Sequence, residues 1–206
     1  MRALLIALAA VMAATLPARA ETETPDYELV FERDPFEIRQ YGSMIVAETL
    51  VEGERSEAAN DAFRILAAYI FGENIASEEI AMTAPVTQTS ESRKIAMTAP
   101  VTQTGDAQEG WRVQFIMPAE YTMETLPKPT DARIQIVQVP PRRFAAIRFS
   151  GFAWARKLEK KTASLEGFVS EQGLEPASEP TFAFYDPPWT PPFLRRNEVL
   201  IEIVAE

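Results

Sequence analysis

The segment from Ile80 to Thr104 reads IAMTAPVTQTSESRKIAMTAPVTQT, so the same ten residues occur twice with only SESRK between the copies. Within each copy, Ile, Met, Ala and Val alternate with polar or proline positions and therefore share one face of an extended chain. This period of two predicts that each copy is a half-buried β-strand. The segment therefore indicates a fold built on a sheet rather than a solenoid.

The two copies are expected to pair with each other as an antiparallel hairpin. Facing residues must lie on the same face of the sheet, and one register that achieves this sets Met82 opposite Val101 and Val86 opposite Met97. A tandem duplication that lengthened a hairpin accounts for the repeat. The alternative is that both copies are ligand sites.

Further strand-like segments surround the repeat, each rich in β-branched and aromatic residues and bounded by turn signals. They are Tyr27–Glu32, Phe36–Tyr41, Met44–Val51, Trp111–Pro118, Arg133–Val139, Arg143–Gly151, Thr181–Asp186 and Glu198–Ile203.

Two amphipathic helices interrupt these strands. The first is predicted from an N-cap at Ser56 to a stop at Gly72, and the second from about Ala153 to Gln172, with Gly173 as its stop. The residues predicted to line one face of the first helix are Ala59, Phe63, Leu66, Ala67 and Ile70. Because the order of strands, helix and strands occurs twice, we predict an α+β domain of two similar halves around a largely antiparallel sheet, closed or nearly closed into a barrel.

The first twenty residues have the pattern of a secretory signal peptide. Arg2 supplies a positive start, an apolar stretch follows, and Ala18-Arg19-Ala20 forms a small-x-small cleavage pattern. We therefore expect residues 1–20 to be a signal peptide, 21–26 a short linker and 27–206 the folded domain, and the location to be periplasmic or secreted. The alternative is an uncleaved membrane anchor, but the apolar run is short for a spanning helix. Because no Cys follows it, a lipoprotein anchor is excluded, and no stable membrane anchor is expected.

Charge and composition exclude several classes of function. Removal of the signal peptide takes two of the 20 basic residues and none of the 30 acidic ones, so the mature chain carries a net charge of 18 minus 30, or −12. Nucleic acid binding needs a basic surface and is therefore not expected. The chain contains no Cys and no His, which removes thiol chemistry, the commonest general base and the commonest ligands of metals and haem iron.

Three stretches of the sequence together resemble the SOUL haem-binding protein family. They are MTAPV after a helix that ends YIFGEN, FSGFA before the second helix, and YDPPWTPPFLRRNEV before the last strand, in the order and at the spacing typical of that family. The similarity extends from Tyr27 to Ile203. It implies a distorted antiparallel β-barrel of two pseudo-symmetric halves with two flanking helices, and a tetrapyrrole bound non-covalently in an apolar surface groove between the first helix and the loop before the last strand.

The resemblance also implies which residues line that groove. Asn60 stands where a relative has a basic residue, and Arg64, one helical turn later, is the candidate to replace it. The Met82 copy of the repeat keeps the spacing of the family from Tyr69, which assigns Met97 to the inserted copy. The implied groove residues are Asn60, Phe63, Arg64, Leu66 and Ala67 of the first helix and Pro187, Pro188, Trp189, Pro192, Phe193, Arg195 and Arg196 of the loop.

The residues of the loop support this role in part. A proline-rich segment with large apolar side chains is stiff before a ligand arrives, so it loses little entropy on binding. Trp189 and Phe193 could instead close the end of the barrel, and Arg195 and Arg196 could form surface ion pairs rather than contact porphyrin propionates. No metal site of the protein itself is expected.

We therefore predict an exported, non-enzymatic protein that binds haem or a related tetrapyrrole without a strong axial ligand, because only Met, Tyr, Lys or a carboxylate could reach the iron. A second hypothesis is a binding module for another flat or apolar small molecule. A third is an enzyme that uses Glu78 and Glu79, or Tyr185 with Asp186, as acid and base. The sequence does not identify a protein partner.

Overall fold

The structure is a computed structural model that describes residues 23–75, 94–106, 110–187 and 189–204. The predicted signal peptide and the first copy of the repeat lie outside the described residues. The helices are α1 (Arg55–Ile70) and α2 (Ala155–Glu171), and a 3-10 turn covers Pro192–Leu194. The strands are β1 (Tyr27–Arg33), β2 (Phe36–Tyr41), β3 (Met44–Val51), β4 (Asn74–Ile75), β5 (Val101–Asp106), β6 (Gly110–Ile116), β7 (Lys128–Pro129), β8 (Gln135–Val139), β9 (Arg142–Phe149), β10 (Thr181–Phe184) and β11 (Asn197–Ile203).

The main sheet has nine antiparallel strands in the order β1-β2-β9-β11-β10-β5-β6-β3-β8. Each half of the chain supplies two strands, a helix and two strands: β2, β3, α1, β5 and β6, then β8, β9, α2, β10 and β11. If each strand is replaced by its counterpart in the other half, the order from β2 to β8 becomes the same order read in reverse. The prediction of two pseudo-symmetric halves is therefore confirmed.

The sheet curls into a distorted barrel because the two halves exchange their first strands. β2 pairs with β9 of the other half, and β8 pairs with β3. The two ladders share one register, which runs from Phe36 opposite Ile147 to Glu48 opposite Gln135. β2 leads directly into β3, and β8 leads directly into β9. The strands near one end of the order are therefore joined by the chain to the strands near the other end, which closes the barrel.

Both helices pack on the outer face of the sheet. Ala47, Val113 and Phe115 form a core with α1, whereas Ile147 and Ile201 belong to a second core beneath α2. Side chains alternate along a strand, so the residues between these positions point to the inside of the barrel. The outer face therefore carries the cores, and the inner face surrounds a cavity.

The helix boundaries agree with the sequence except at the start of α1. Glu54, not Ser56, precedes the first helical residue, and it makes no side-chain capping hydrogen bond. α2 ends as predicted, because Gly173 has a φ of +69°, a conformation that favours glycine.

The second copy of the repeat differs from its prediction. Only its last part is a strand, which begins at Val101 after a cis peptide bond between Ala99 and Pro100. Met97 is exposed and Thr98 is buried, so the expected alternation fails before the strand begins.

The predicted hairpin between the two copies is also wrong. Val101 already lies opposite Phe115 of β6 on one side and Phe184 of β10 on the other. Both edges of β5 are thus occupied at the position where Met82 was expected. The copy that spacing assigned to the insertion enters the sheet, and it is joined to α1 by a hydrogen bond from the Ile95 N–H to the Ile70 carbonyl (2.8 Å).

The described part of the predicted linker contacts the domain. The Glu23 carbonyl accepts a hydrogen bond from the Ala99 N–H (2.8 Å), and the Glu23 carboxylate accepts one from the Ala119 N–H (2.9 Å). Glu23 is therefore attached to the folded domain by its backbone and its side chain.

Candidate functional site

A row of aromatic and apolar side chains crosses the outer face of the sheet between the helices. Phe115, Val101 and Phe184 lie opposite one another on β6, β5 and β10, and the row continues through Asn197 on β11 to Phe149 on β9. Phe115 belongs to the core beneath α1 and Phe149 to the core beneath α2, which fixes the row on the outer face. The centre of the row is the floor of the candidate groove.

The first wall of the groove is α1. The Phe63 ring lies 5.4 Å from the Phe115 ring, centroid to centroid, and Phe63 remains exposed. Asn60 and Arg64 are also exposed, and Arg64 donates to the Asp61 carboxylate (2.6 Å). These three side chains of α1 are accessible to a ligand.

Leu66 and Ala67 do not belong to the accessible surface of this wall, contrary to the prediction. Both are buried, and Leu66 is fully enclosed in the core between α1 and the sheet. The buried side of α1 includes Ala58, Ala62 and Leu66, spaced four residues apart, so Phe63 lies at its margin rather than at its centre. The predicted apolar face of α1 is therefore correct for Leu66, Ala67 and Ile70, which are buried, but not for Phe63, which is exposed.

The loop from Tyr185 to Arg196, which the resemblance to the family predicts as the second wall, joins β10 to β11 where Phe184 pairs with Asn197. Its backbone is internally hydrogen bonded: the Thr190 N–H donates to the Pro187 carbonyl (3.0 Å), and Arg195 Nε donates to the Thr190 carbonyl (2.7 Å). Pro192 is half-buried, and Pro188 lies outside the described residues. The side chains of Trp189 and Phe193 are 82% and 74% exposed, so neither closes the end of the barrel.

The loop is fixed to the segment that precedes α2. The Gly151 N–H donates to the Pro192 carbonyl (2.8 Å), and Asn197 Nδ2 donates to the Gly151 carbonyl (2.9 Å). The Arg195 guanidinium lies 5.3 Å from the centroid of the Phe152 ring. Two of the three stretches that resemble the family are therefore in direct contact.

Arg196 has a structural role in this site. Its guanidinium donates to Glu198 (Nη2 to Oε1, 2.8 Å) and lies 4.0 Å from the centroid of the Tyr185 ring. Glu198 is fully buried and also accepts two hydrogen bonds from Arg39, at 2.7 and 3.0 Å. The structure thus pairs Arg196 with a protein carboxylate.

Buried charges in this network change two pKa values in opposite directions. Burial alone would raise the pKa of Glu198, but the hydrogen bonds and charge of Arg39, with the charge of Arg196, hold it below its usual value. Burial and the neighbouring Glu198 carboxylate raise the pKa of Tyr185 well above its ordinary value.

The acid and base pair considered for an enzyme is engaged in structural contacts. The Tyr185 hydroxyl donates to Glu198 (2.7 Å), and the Asp186 carboxylate accepts a hydrogen bond from the Arg196 N–H (2.7 Å). Glu78 and Glu79 lie outside the described residues. Within the described ranges, no three Asp or Glu side chains converge as a metal site would require.

A second concavity, which the sequence did not indicate, lies inside the barrel. It has a volume of about 340 Å³ and is lined by alternate residues of β3, β6 and β11, including Glu48, Gln114 and Leu200. The sequence of those strands shows that polar and apolar residues alternate, but such a pattern ordinarily indicates that the polar face is exposed to solvent. Only the closure of the sheet turns that face inward.

Comparison with known proteins places the sequence in one family. The family model described as SOUL heme-binding protein matches residues 22–202. A search of curated proteins finds no significant match.

Solved structures share the fold at low sequence identity. The crystal structure of the EcmrR C-terminal domain has a TM-score of 0.58 and 12% identity, with 87% of this chain and 99% of that chain covered. A structure described as a hydrolase from Listeria innocua has a TM-score of 0.50 and 13% identity, with coverage of 90% and 94%. Across the described ranges, no helix has the length and apolar character needed to cross a membrane.

Proposed function

The chain belongs to the SOUL haem-binding protein family, and from this premise we propose that it is an exported, non-enzymatic protein that holds haem or a related tetrapyrrole in the groove between α1 and the Tyr185–Arg196 loop. One observation carries the position of the site. The apolar row of Phe115, Val101 and Phe184 runs from beneath Phe63 to the start of the loop.

The exposed side chains at the groove fit the flat face of a macrocycle. Phe63, Trp189 and Phe193 are large aromatic residues whose side chains are exposed and therefore accessible to a ligand. Aromatic rings stack on flat apolar ligands and gain from both burial and quadrupole contacts. These three residues would hold the face of the tetrapyrrole.

The loop supports binding because it is ordered by its own contacts. Its hydrogen bonds to Pro187, Thr190 and Gly151 fix the backbone on which Trp189 and Phe193 are carried. A preformed wall loses little conformational entropy when the ligand binds. If about 400 Å² of apolar surface left water, the gross gain would be about 10 kcal/mol, and an association cost of at least about 4 kcal/mol leaves at most about 6 kcal/mol, which corresponds to a dissociation constant of about 40 μM or weaker.

The propionates of the ligand require cations, and Arg64 is the side chain best suited to this role. It is 79% exposed and its ion pair with Asp61 lies at the surface, where such pairs contribute little to stability. Arg195 and Arg196 already contact Thr190 and Glu198. A propionate that pairs with Arg64 therefore displaces only a weak contact.

When bound, haem would supply an iron centre, but this chain offers that iron neither His nor Cys. The contact should therefore be made chiefly through the macrocycle. A non-enzymatic role agrees with the structural engagement of Tyr185 and Asp186.

The groove is tested by titrating protoporphyrin IX into wild-type protein and single variants and following porphyrin fluorescence. We expect Phe63→Ala and Trp189→Ala each to weaken binding about tenfold, which corresponds to about 1.4 kcal/mol. Phe71→Ala is the matched control, because Phe71 is an exposed Phe that follows the last residue of α1, about two helical turns from Phe63. Equal affinity for all variants would exclude this groove, and tighter binding of a long-chain fatty acid than of either porphyrin or haemin would favour another apolar ligand.

Export is tested separately. Mass spectrometry of the protein recovered from its native host is expected to give a chain that starts at Glu21, because Ala18-Arg19-Ala20 is the cleavage pattern after the apolar stretch. An intact chain starting at Met1 in the membrane fraction would contradict the proposed location.

A further inference from the structure

We propose that the interior cavity of the barrel is a second ligand site, which binds a compact amphipathic cation such as a protonated aryl-alkyl amine. The cavity has a volume of about 340 Å³, at the lower end of the range of about 300 to 1,000 Å³ that is typical of small-molecule sites. A tetrapyrrole is too large for a site of this size. The apolar part of its wall includes Met44, Val46, Ile116, Val139, Phe144 and Leu200.

The acidic side chains of the cavity lie deeper than the basic ones. Glu48 is 10% exposed, whereas its partner Arg112, whose Nη1 lies 2.9 Å from Oε1, is 56% exposed. Glu202 is 23% exposed and its partner Arg142, at 3.2 Å, is 40% exposed. The guanidinium groups therefore lie at the rim of the cavity. If a ligand breaks their ion pairs with the carboxylates, water can hydrate them there at a low cost in free energy. The carboxylates remain inside and favour a cation.

The Glu48 carboxylate can also accept a hydrogen bond from a ligand that donates. Of the other polar groups of the wall, the hydroxyls of Thr104 and Thr181 lie 2.8 Å apart and share one hydrogen bond, and the Tyr185 hydroxyl donates to Glu198. Each oxygen of Glu48 accepts one hydrogen bond, from Arg112 and from Gln114, and a carboxylate oxygen can accept a second. An ammonium group brings three donors and no acceptor, which matches this arrangement.

The interior cavity is separate from the tetrapyrrole groove. On β6, Arg112 and Gln114 face the cavity, whereas Val113 and Phe115 pack against α1 on the other face. The curled sheet stands between the two sites. The interior site therefore does not depend on the proposed function of the outer groove.

The proposal is tested with three probes that share one ring and differ in charge: 1-naphthylmethylammonium, 1-naphthylmethanol and 1-naphthoate. Isothermal titration of the full mature chain is expected to show binding of the ammonium at least tenfold tighter than of the alcohol, and no measurable binding of the carboxylate. Equal affinities for the three probes, or no binding of the ammonium, would overturn the proposal. Displacement of the ammonium by protoporphyrin would do the same, because it would place both ligands at one site.

Variants locate the site. Glu48→Gln is expected to weaken binding of the ammonium at least fivefold and to leave the affinity for the alcohol unchanged. Glu159→Gln, at an exposed position of α2, is the matched control and should have no effect. Val137→Trp, which fills the cavity from a half-buried position on β8, should abolish binding even if Glu48→Gln fails to fold. Unchanged ammonium binding in Val137→Trp would show that the probe binds elsewhere.

Discussion

The two faces of the curled sheet are built from the same strands but have opposite chemistry. On β6, Val113 and Phe115 join the apolar core beneath α1, whereas Arg112 and Gln114 surround a carboxylate inside the barrel. β11 repeats the pattern, with Val199 on the outer face. Because side chains alternate, a step of one residue along a strand moves a substitution from one surface to the other. One small domain thus has an apolar outer face that packs against the helices and a charged cavity inside.

The largest expected effect comes from breaking the buried charge network of the inner face. Arg39 donates two hydrogen bonds to Glu198, and both side chains are fully buried. We expect Arg39→Met to lower the free energy of unfolding by about 3 to 5 kcal/mol, because it leaves a buried carboxylate short of its main partner. Urea denaturation followed by circular dichroism measures this change.

The control is a pair with similar geometry at the surface. Arg33 also donates two hydrogen bonds to one glutamate, Glu171, but their side chains are 45% and 60% exposed. Arg33→Met should change the free energy of unfolding far less than Arg39→Met, because exposed ion pairs contribute little to stability. Similar losses in the two variants would mean that burial does not distinguish the two pairs.

The next prediction tests which copy of the repeat packs into the core between α1 and the outer face of the sheet. Ile95 is buried in the core beneath α1, so Ile95→Ala should lower the free energy of unfolding by about 2 to 5 kcal/mol. Ile80→Ala is the matched control, because Ile80 is followed by the same nine residues as Ile95. We expect Ile80→Ala to cost clearly less. Small, equal losses in the two single variants and a large loss in the double variant would show that either copy can enter the sheet.

A smaller effect follows from the lowered pKa of Glu198. A carboxyl group whose pKa is lower in the folded state than in the unfolded state stabilises the fold above its unfolded pKa, about 4.3, and this contribution is lost as the pH falls through the folded value. Stability should therefore decline below about pH 4. Glu198→Gln should have a flatter pH profile of unfolding midpoints in this range, whereas an unchanged profile would assign the acid sensitivity to other carboxyl groups.

The sequence predicted most of the strands and both helices because their periodicity is local. β2 and β3 have the predicted bounds, and the two halves follow from the repeated order of strands and helix. The prediction of the buried face of α1 was less accurate, because it placed the exposed Phe63 on that face. Ala58 and Ala62 let the helix approach the sheet closely, so the centre of the buried face shifted away from Phe63.

The parts that the sequence did not predict depend on contacts between distant residues. The hairpin of the repeat was wrong because β6 and β10 compete for the edges of β5, and local alternation contains no information on that competition. The interior cavity was missed because Glu48, Gln114 and Leu200 come from strands far apart in sequence. The partner of Arg196 was likewise set by a buried carboxylate that a surface pattern does not reveal.

The most direct test of the central claim compares ferric haem with iron-free protoporphyrin on the wild-type protein, by absorbance and fluorescence titration under the same conditions. Because the chain offers the iron neither His nor Cys, binding should come from contact between the macrocycle and the aromatic side chains of the outer groove. The account predicts that the two dissociation constants agree within about tenfold, or about 1.4 kcal/mol. Haem binding with no detectable binding of protoporphyrin would contradict it, because the iron would then be the main point of attachment.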